Sequence, residues 1–235
     1  MFFHWTMLLM IPPAILAIYA SFKVRSTFSQ YARYRASSGL TGAEAARALL
    51  DHSGLRDVRI EQVEGELTDH YDPRQKVLRL SQPVHSSGSL SALGVAAHET
   101  GHAVQDATGY LPLKLRAGIV PLAAVGNNLG LVLFVAGMML MGFTRAPWGR
   151  VVALVGIGFF AAGFAFTVVT LPVEFNASKR ALAMLTSEGI VTAEEQGHTR
   201  RVLSAAALTY VAAAFVALMM LLRFILIFAS ASRRE

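Results

Sequence analysis

The sequence predicts a mainly α-helical membrane protein, with four transmembrane helices carrying a small α+β domain at the cytoplasmic face. Three observations lead there. First, 54% of the 235 residues are hydrophobic and only 15% are charged, against about 25% charged in ordinary soluble domains. Second, four stretches, 2–22, 118–143, 151–171 and 205–229, are apolar enough and long enough to cross a bilayer, which takes roughly 20 residues. Third, residues 23–117 have the mixed helix and strand patterning of a small globular unit rather than of a span.

The residues before the first apolar run are uncharged, and Lys23, Arg25, Arg33 and Arg35 follow it. This charge order is the reverse of a secretory signal and predicts a retained anchor with its N-terminus outside. Counting onward places 23–117 in the cytoplasm and spans two and three in a hairpin around Arg145–Gly149. Residues 172–204 then return to the cytoplasm, and span four exits again. All Lys and Arg residues fall in the two inside segments except Arg145, Arg150, Arg223, Arg233 and Arg234. Short positive segments orient membrane proteins in this sense. The net charge of +6 is therefore explained by orientation in a bilayer, and no nucleic-acid partner is expected. Arg223 falls within span four, where it must snorkel or pair. In the hairpin, Gly156, Gly158, Ala162 and Gly163 allow close helix approach, and the Asn127-Asn128 pair can bond across helices.

Within the insert, Ser26–Arg35 continues the first helix. Thr41 and Glu44 form a capping-box pattern opening a helix to about His52, ended by Gly54. Val58 and Ile60 alternate with charged residues, and Tyr71 to Arg74 reads as a turn, so Arg56–Val63 and Lys76–Ser81 are expected to pair as a hairpin. Ser86 to Ser89 form a loop, and Ser89 caps a helix running to about Thr108 and stopped by Gly109.

That last helix contains His98-Glu-Thr-Gly-His102. Two histidines four apart share one helical face and can reach one Zn²⁺, while Glu99 between them faces the metal-bound water as a general base. The chain has no cysteine, so any metal must be held by His and carboxylate. A catalytic zinc takes three protein ligands and keeps one position open. The extended metzincin pattern is missing, since Gln105 and Thr108 stand where its glycine and third histidine would be. Glu174 is the leading third ligand: Pro172 suits the first turn of a helix, Glu174 follows at the membrane boundary, and two spans between His102 and Glu174 return both to one side. A salt bridge from Glu174 to Lys179 or Arg180 is the plain alternative. Lys76–Ser81 is a candidate edge strand on which an extended substrate could pair. Asp106, one turn after His102, is a candidate partner for a ligand, or simply a surface acid.

HETGHAVQ at 98–105 together with EFNASKRAL at 174–182 resembles the YugP-type neutral zinc metallopeptidases of bacterial membranes, and the likeness runs from Asp69 to Ala212. More distantly the arrangement is similar to membrane gluzincins of the HtpX type. The resemblance implies one Zn²⁺ per chain bound by His98, His102 and Glu174, with Glu99 as base. It also implies a protein or peptide substrate and a multi-pass protein of the bacterial inner membrane. Two positions depart from those patterns: Asn176 and Ser178 stand where acidic residues are usual, and either can still orient a ligand by hydrogen bonding. His198, Arg201 and Tyr210 are candidate stabilisers of the oxyanion, each with a plain reading as a solvated or interfacial residue. Competing functions are a catalytically silent zinc-binding scaffold, a hydrolase of non-protein amides, and a transporter. The intact Glu99 and the few polar groups in the spans weigh against the first and last.

Overall fold

The structure is a computed structural model, and it describes residues 5–144 and 147–233. It is mainly helical, with a small sheet. A 3-10 turn, Trp5–Met10, leads into α1 (Ile11–Tyr31), followed by α2 (Gly42–His52). The strands β1 (Arg59–Val63), β2 (His70–Asp72) and β3 (Val77–Ser81) come next. The helices α3 (Gln82–His85), α4 (Leu90–Ala107), α5 (Leu111–Met139), α6 (Pro147–Ser187) and α7 (Ala193–Ser232) complete the chain. Contacts divide it into two compact units: 1–19, 115–171 and 210–235 in one, 20–114 and 172–209 in the other.

Among the described residues, three helices are long and apolar enough to cross a membrane, or four if the bent pair Leu111–Ala123 and Asn128–Phe143 counts as one span. The two parts of that pair meet at 48°, just after Pro121, which cannot donate to the preceding turn. A π-helical turn, Leu140–Thr144, precedes the hairpin bend; Arg145 and Arg234 lie outside the described residues, and so does the side chain of Asn127. The hairpin of α5 and α6 closes through glycines. A Cβ at Gly137 would collide with the Ala153 backbone, and one at Gly156 with that of Phe134. Gly158, expected to share this role, faces open space instead. In the core of the first unit Phe224 stacks on Phe160 and meets Phe134 at a tilt, and the Arg223 guanidinium lies 5.9 Å from the Phe224 ring centre, a cation–π placement.

The second unit is built around α4. Leu93 and Ala97 pack with Leu49 of α2, Ala181 and Leu185 of α6 and Val202 of α7. On another side of α4, Ala92, Ala96 and Ala103 pack with Leu50, Leu78, Leu80 and Val84. Its remaining face carries the two histidines. The local signals operate as expected: Thr41 and Glu44 form both bonds of a capping box, and the Ser89 hydroxyl accepts from the Ala92 N–H at the start of α4. Gly54 and Gly109 take the left-handed conformation that ends each helix. Thr192 and Glu195 make a further capping box at the start of α7.

Several expectations are corrected. Arg56–Val63 and Lys76–Ser81 do not form a hairpin: β1 runs parallel to β3, and β2 is the antiparallel neighbour on the other side, giving the order β1-β3-β2. The turn expected at Tyr71–Arg74 lies two residues later, at 73–76, and joins β2 to β3; β2 is too short to announce itself by periodicity. Consequently β3 is central, bonded on both edges, and cannot receive a substrate strand. Pro172 does not begin a helix; α6 runs through it for 41 residues. A proline there removes one N–H, while Val173, Ala177, Ala181 and Leu185 are completely buried and hold the helix together, as neighbouring elements do for prolines in membrane helices. Likewise α7 continues from the return segment into the last apolar stretch without a break. The helix predicted to extend over Ser26–Arg35 stops at Tyr31. At about 60 Å each, α6 and α7 are roughly twice as long as a bilayer core is thick.

Helices α4 and α6 pack tightly at Gly101, where an added Cβ would sit 2.7 Å from the Ala177 carbonyl oxygen and 3.2 Å from its Cα. Because backbone atoms must give way, overpacking of about 1–3 kcal/mol should exceed the ~1 kcal/mol that alanine gains over glycine in helix propensity. Gly101→Ala is therefore expected to melt at lower temperature than the parent in a thermal scan in detergent, whereas Gly158→Ala should melt no lower.

Candidate metal centre

Helix α4 places His98, Glu99 and His102 beside α6, from which Glu174 projects. The ligand atoms of His98, His102 and Glu174 lie within 4.8 Å of one another. One carboxylate oxygen, Glu174 Oε2, is 3.2 Å from His98 Nε2 and 3.5 Å from His102 Nε2. The imidazole rings meet edge to face, 4.8 Å between centres. Glu174 is only 2% exposed, so its charge has little water around it and demands a cationic partner.

The outer nitrogens of both rings are tied back into the protein. His98 Nδ1 lies 3.1 Å from the Ser178 hydroxyl, and His102 Nδ1 lies 3.0 Å from Gln105 Oε1. Gln105, fully buried, donates from Nε2 to the Val173 carbonyl at 2.8 Å and to Asn176 Oδ1 at 3.0 Å. Asn176 Oδ1 also accepts from Arg180 Nε at 2.8 Å. Burial pushes the His102 imidazole down, but the hydrogen bond to Glu174 and the charges of Glu99 and Glu174 outweigh it and raise it above the usual histidine value. The cluster thus draws positive charge to the point where three ligand atoms converge. Two imidazoles and a carboxylate, with the ring nitrogens that face away already bonded, match the donor chemistry that zinc takes. The residues present fit Zn²⁺.

Glu99, also buried at 9% exposure, accepts from the Tyr71 backbone N–H at 3.1 Å. Tyr71 sits on β2, which is clamped onto α4 by its side chain: the phenol donates to Asp106 Oδ2 at 3.0 Å, and Lys76 Nζ reaches the same oxygen at 2.7 Å. Burial, then the Asp106 hydrogen bond and charge, push the Tyr71 phenol well up, so it stays a donor. Asp106 therefore acts on the strand beside Glu99. The outward N–H of Tyr71 is engaged by Glu99 and Pro73 has none, which leaves β2 as well a poor edge for strand addition.

Among the other candidates, Ser178 touches His98 and Asn176 reaches His102 only through Gln105. Arg180 bonds to Asn176. His198 stacks on Tyr31, 5.2 Å between ring centres, and lies against Tyr34, while Arg201 Nη1 donates to the Tyr31 hydroxyl at 3.1 Å. Tyr210 belongs to the other unit. Gln105 and Tyr71 were not singled out from sequence for these roles. Gln105 had a signal, its i+3 spacing from His102; Tyr71 had none, because its place depends on the pairing of β2.

A family model described as "Putative neutral zinc metallopeptidase" matches residues 6–229. The chain is 48% identical over 215 residues to the "Putative membrane protease YugP" of Bacillus subtilis (strain 168), covering 91% of this chain and 92% of the relative. No solved structure matches.

A proton occupying His102 must leave before the ring can bind a metal. Since its affinity for that proton is raised, competition persists to higher pH than for a free imidazole. Zinc affinity, measured against a chromophoric chelator, should reach its plateau only above that raised value and fall steadily as pH drops through it.

Proposed function

Because this chain belongs to the neutral zinc metallopeptidase family and is a membrane protein, we propose that it is a zinc-dependent metalloendopeptidase of the bacterial inner membrane. Its site faces the cytoplasm and cuts peptide bonds in exposed segments of membrane or neighbouring proteins. The observation that carries the reading is the convergence of His98, His102 and Glu174 from two helices, with Glu99 held beside them. One Zn²⁺ per chain would be held by those three ligands, in the gluzincin manner. When bound, zinc supplies a Lewis acid that makes water a nucleophile near neutral pH and polarises a carbonyl.

The remaining chemistry falls to the chain. Glu99 takes the proton from the attacking water and delivers it to the departing amine nitrogen as the peptide C–N bond breaks. The Tyr71 N–H holds one oxygen of that carboxylate, Oε2, which leaves the other to handle the proton. In this reading His198 and Arg201 secure the end of α1 through Tyr31 instead of stabilising an oxyanion. The likeness to a protein named as a membrane protease favours peptide over non-protein amide substrates. The cytoplasmic orientation rests on the positive segments flanking the apolar helices.

Glu99→Gln, purified in detergent, is expected to keep its zinc and to cleave casein at least about 100-fold more slowly, the lower range for loss of a general base. Glu174→Ala should instead lose the metal. Equal cleavage by parent and Glu99→Gln would overturn the mechanism. In this cysteine-free chain, His85→Cys should resist impermeant thiol reagents in intact cells and react after lysis; labelling from outside would reverse the orientation.

A further inference from the structure

We propose that Arg180, Asn176 and Gln105 form a hydrogen-bond relay of fixed polarity that holds the His102 proton on Nδ1, leaving the Nε2 lone pair free for the metal. The inference rests on the zinc-site reading above and adds three positioning residues to it, none of which touches the substrate.

The polarity follows from groups that have only one hydrogen-bonding role. A guanidinium can only donate, so the atom of Asn176 that Arg180 Nε meets at 2.8 Å is its carbonyl oxygen. That oxygen, and the Val173 main-chain carbonyl, can only accept. Both face the same end of the Gln105 amide, at 3.0 and 2.8 Å, so this end is the NH₂ group. The opposite end is therefore Oε1, an acceptor, and His102 Nδ1 at 3.0 Å must be the donor. A flipped amide would set one oxygen against two others where Gln105, 0% exposed, has no water to relieve it. His98 lacks such a device: its partner, the Ser178 hydroxyl, rotates to donate or accept. One ligand of the pair is thus locked by construction, and its lock begins at Arg180, two residues beyond Ser178 on the helix that supplies Glu174.

Zn²⁺ affinity, measured by chelator competition at fixed pH in detergent, tests this with Gln105→Leu, Arg180→Met and the double variant. Gln105→Leu should bind roughly 10- to 100-fold more weakly, the usual effect of removing a partner of a metal-bound histidine. Arg180→Met should lose less, and the double variant should be no weaker than Gln105→Leu, because both act along one line. In zinc-loaded protein carrying ¹⁵N-histidine, the downfield Nδ1–H proton of His102 should lose its hydrogen-bonded shift in Gln105→Leu, while that of His98 does not move. If Gln105→Leu does not fold, Asn176→Leu replaces it, with the same expected zinc loss and proton shift. Wild-type affinity in Gln105→Leu, or a full independent loss from Arg180→Met in its background, overturns the relay. Glu174→Ala separates the two ideas: zinc loss there with none in Gln105→Leu rejects only the relay, and zinc retained in both rejects the metal site itself.

Discussion

The buried Glu174 carboxylate, facing two imidazole nitrogens across a helix crossing, is the constraint to which the rest of this unit answers. A carboxylate with almost no solvent contact is stable only beside positive charge, and the atoms nearest it are ring nitrogens whose other sides are already bonded. A divalent cation satisfies all three groups at once. Without one, His102 must hold a proton more tightly than usual. Gly101 permits this geometry, because only a residue without a Cβ lets α4 come so close to the Ala177 backbone.

Around that crossing, the packing divides by face. Two apolar faces of α4 are covered by α2, α6 and α7 and by the sheet with α3, which fixes the helix against rotation. The third face then has no freedom to turn the histidines away from Glu174. The sheet contributes through β2, whose backbone holds Glu99 and whose Tyr71 phenol is anchored by Asp106 and Lys76. The same short strand that caps the edge of the sheet thereby orients the carboxylate proposed as base. Because α6 continues through Pro172, Glu174 sits on an element stiffened by completely buried Val173, Ala177 and Ala181, a firmer mount than a loop would be.

Much of this was legible locally. The helix α4 could be read from Ser89 to Gly109 because cap, periodicity and stop signal all lie within one segment. The placement of His98 and His102 on one face follows from four-residue spacing alone. Glu174 could be nominated because two apolar stretches separate it from His102 and return both to one side, a topological argument that needs no tertiary detail. The arrangement of the strands could not, since β2 is only three residues long and a parallel β1–β3 pair has no turn to advertise it. Helix continuity across Pro172 was equally hidden: a proline marks a probable helix start in sequence, and only the packing of its neighbours overrules that preference.

Composition, apolar run length and charge placement by themselves determined a membrane protein with long helices and a mixed insert, because those features express solvent preference residue by residue. The HETGH spacing determined a candidate ligand pair, since helical geometry is local. What tertiary structure alone decided is which groups meet from afar: Glu174 with the histidines, Tyr71 with Glu99, and Gln105 with both His102 and α6. Such contacts depend on how packed faces rotate elements against one another, and no periodicity within a single segment records that rotation.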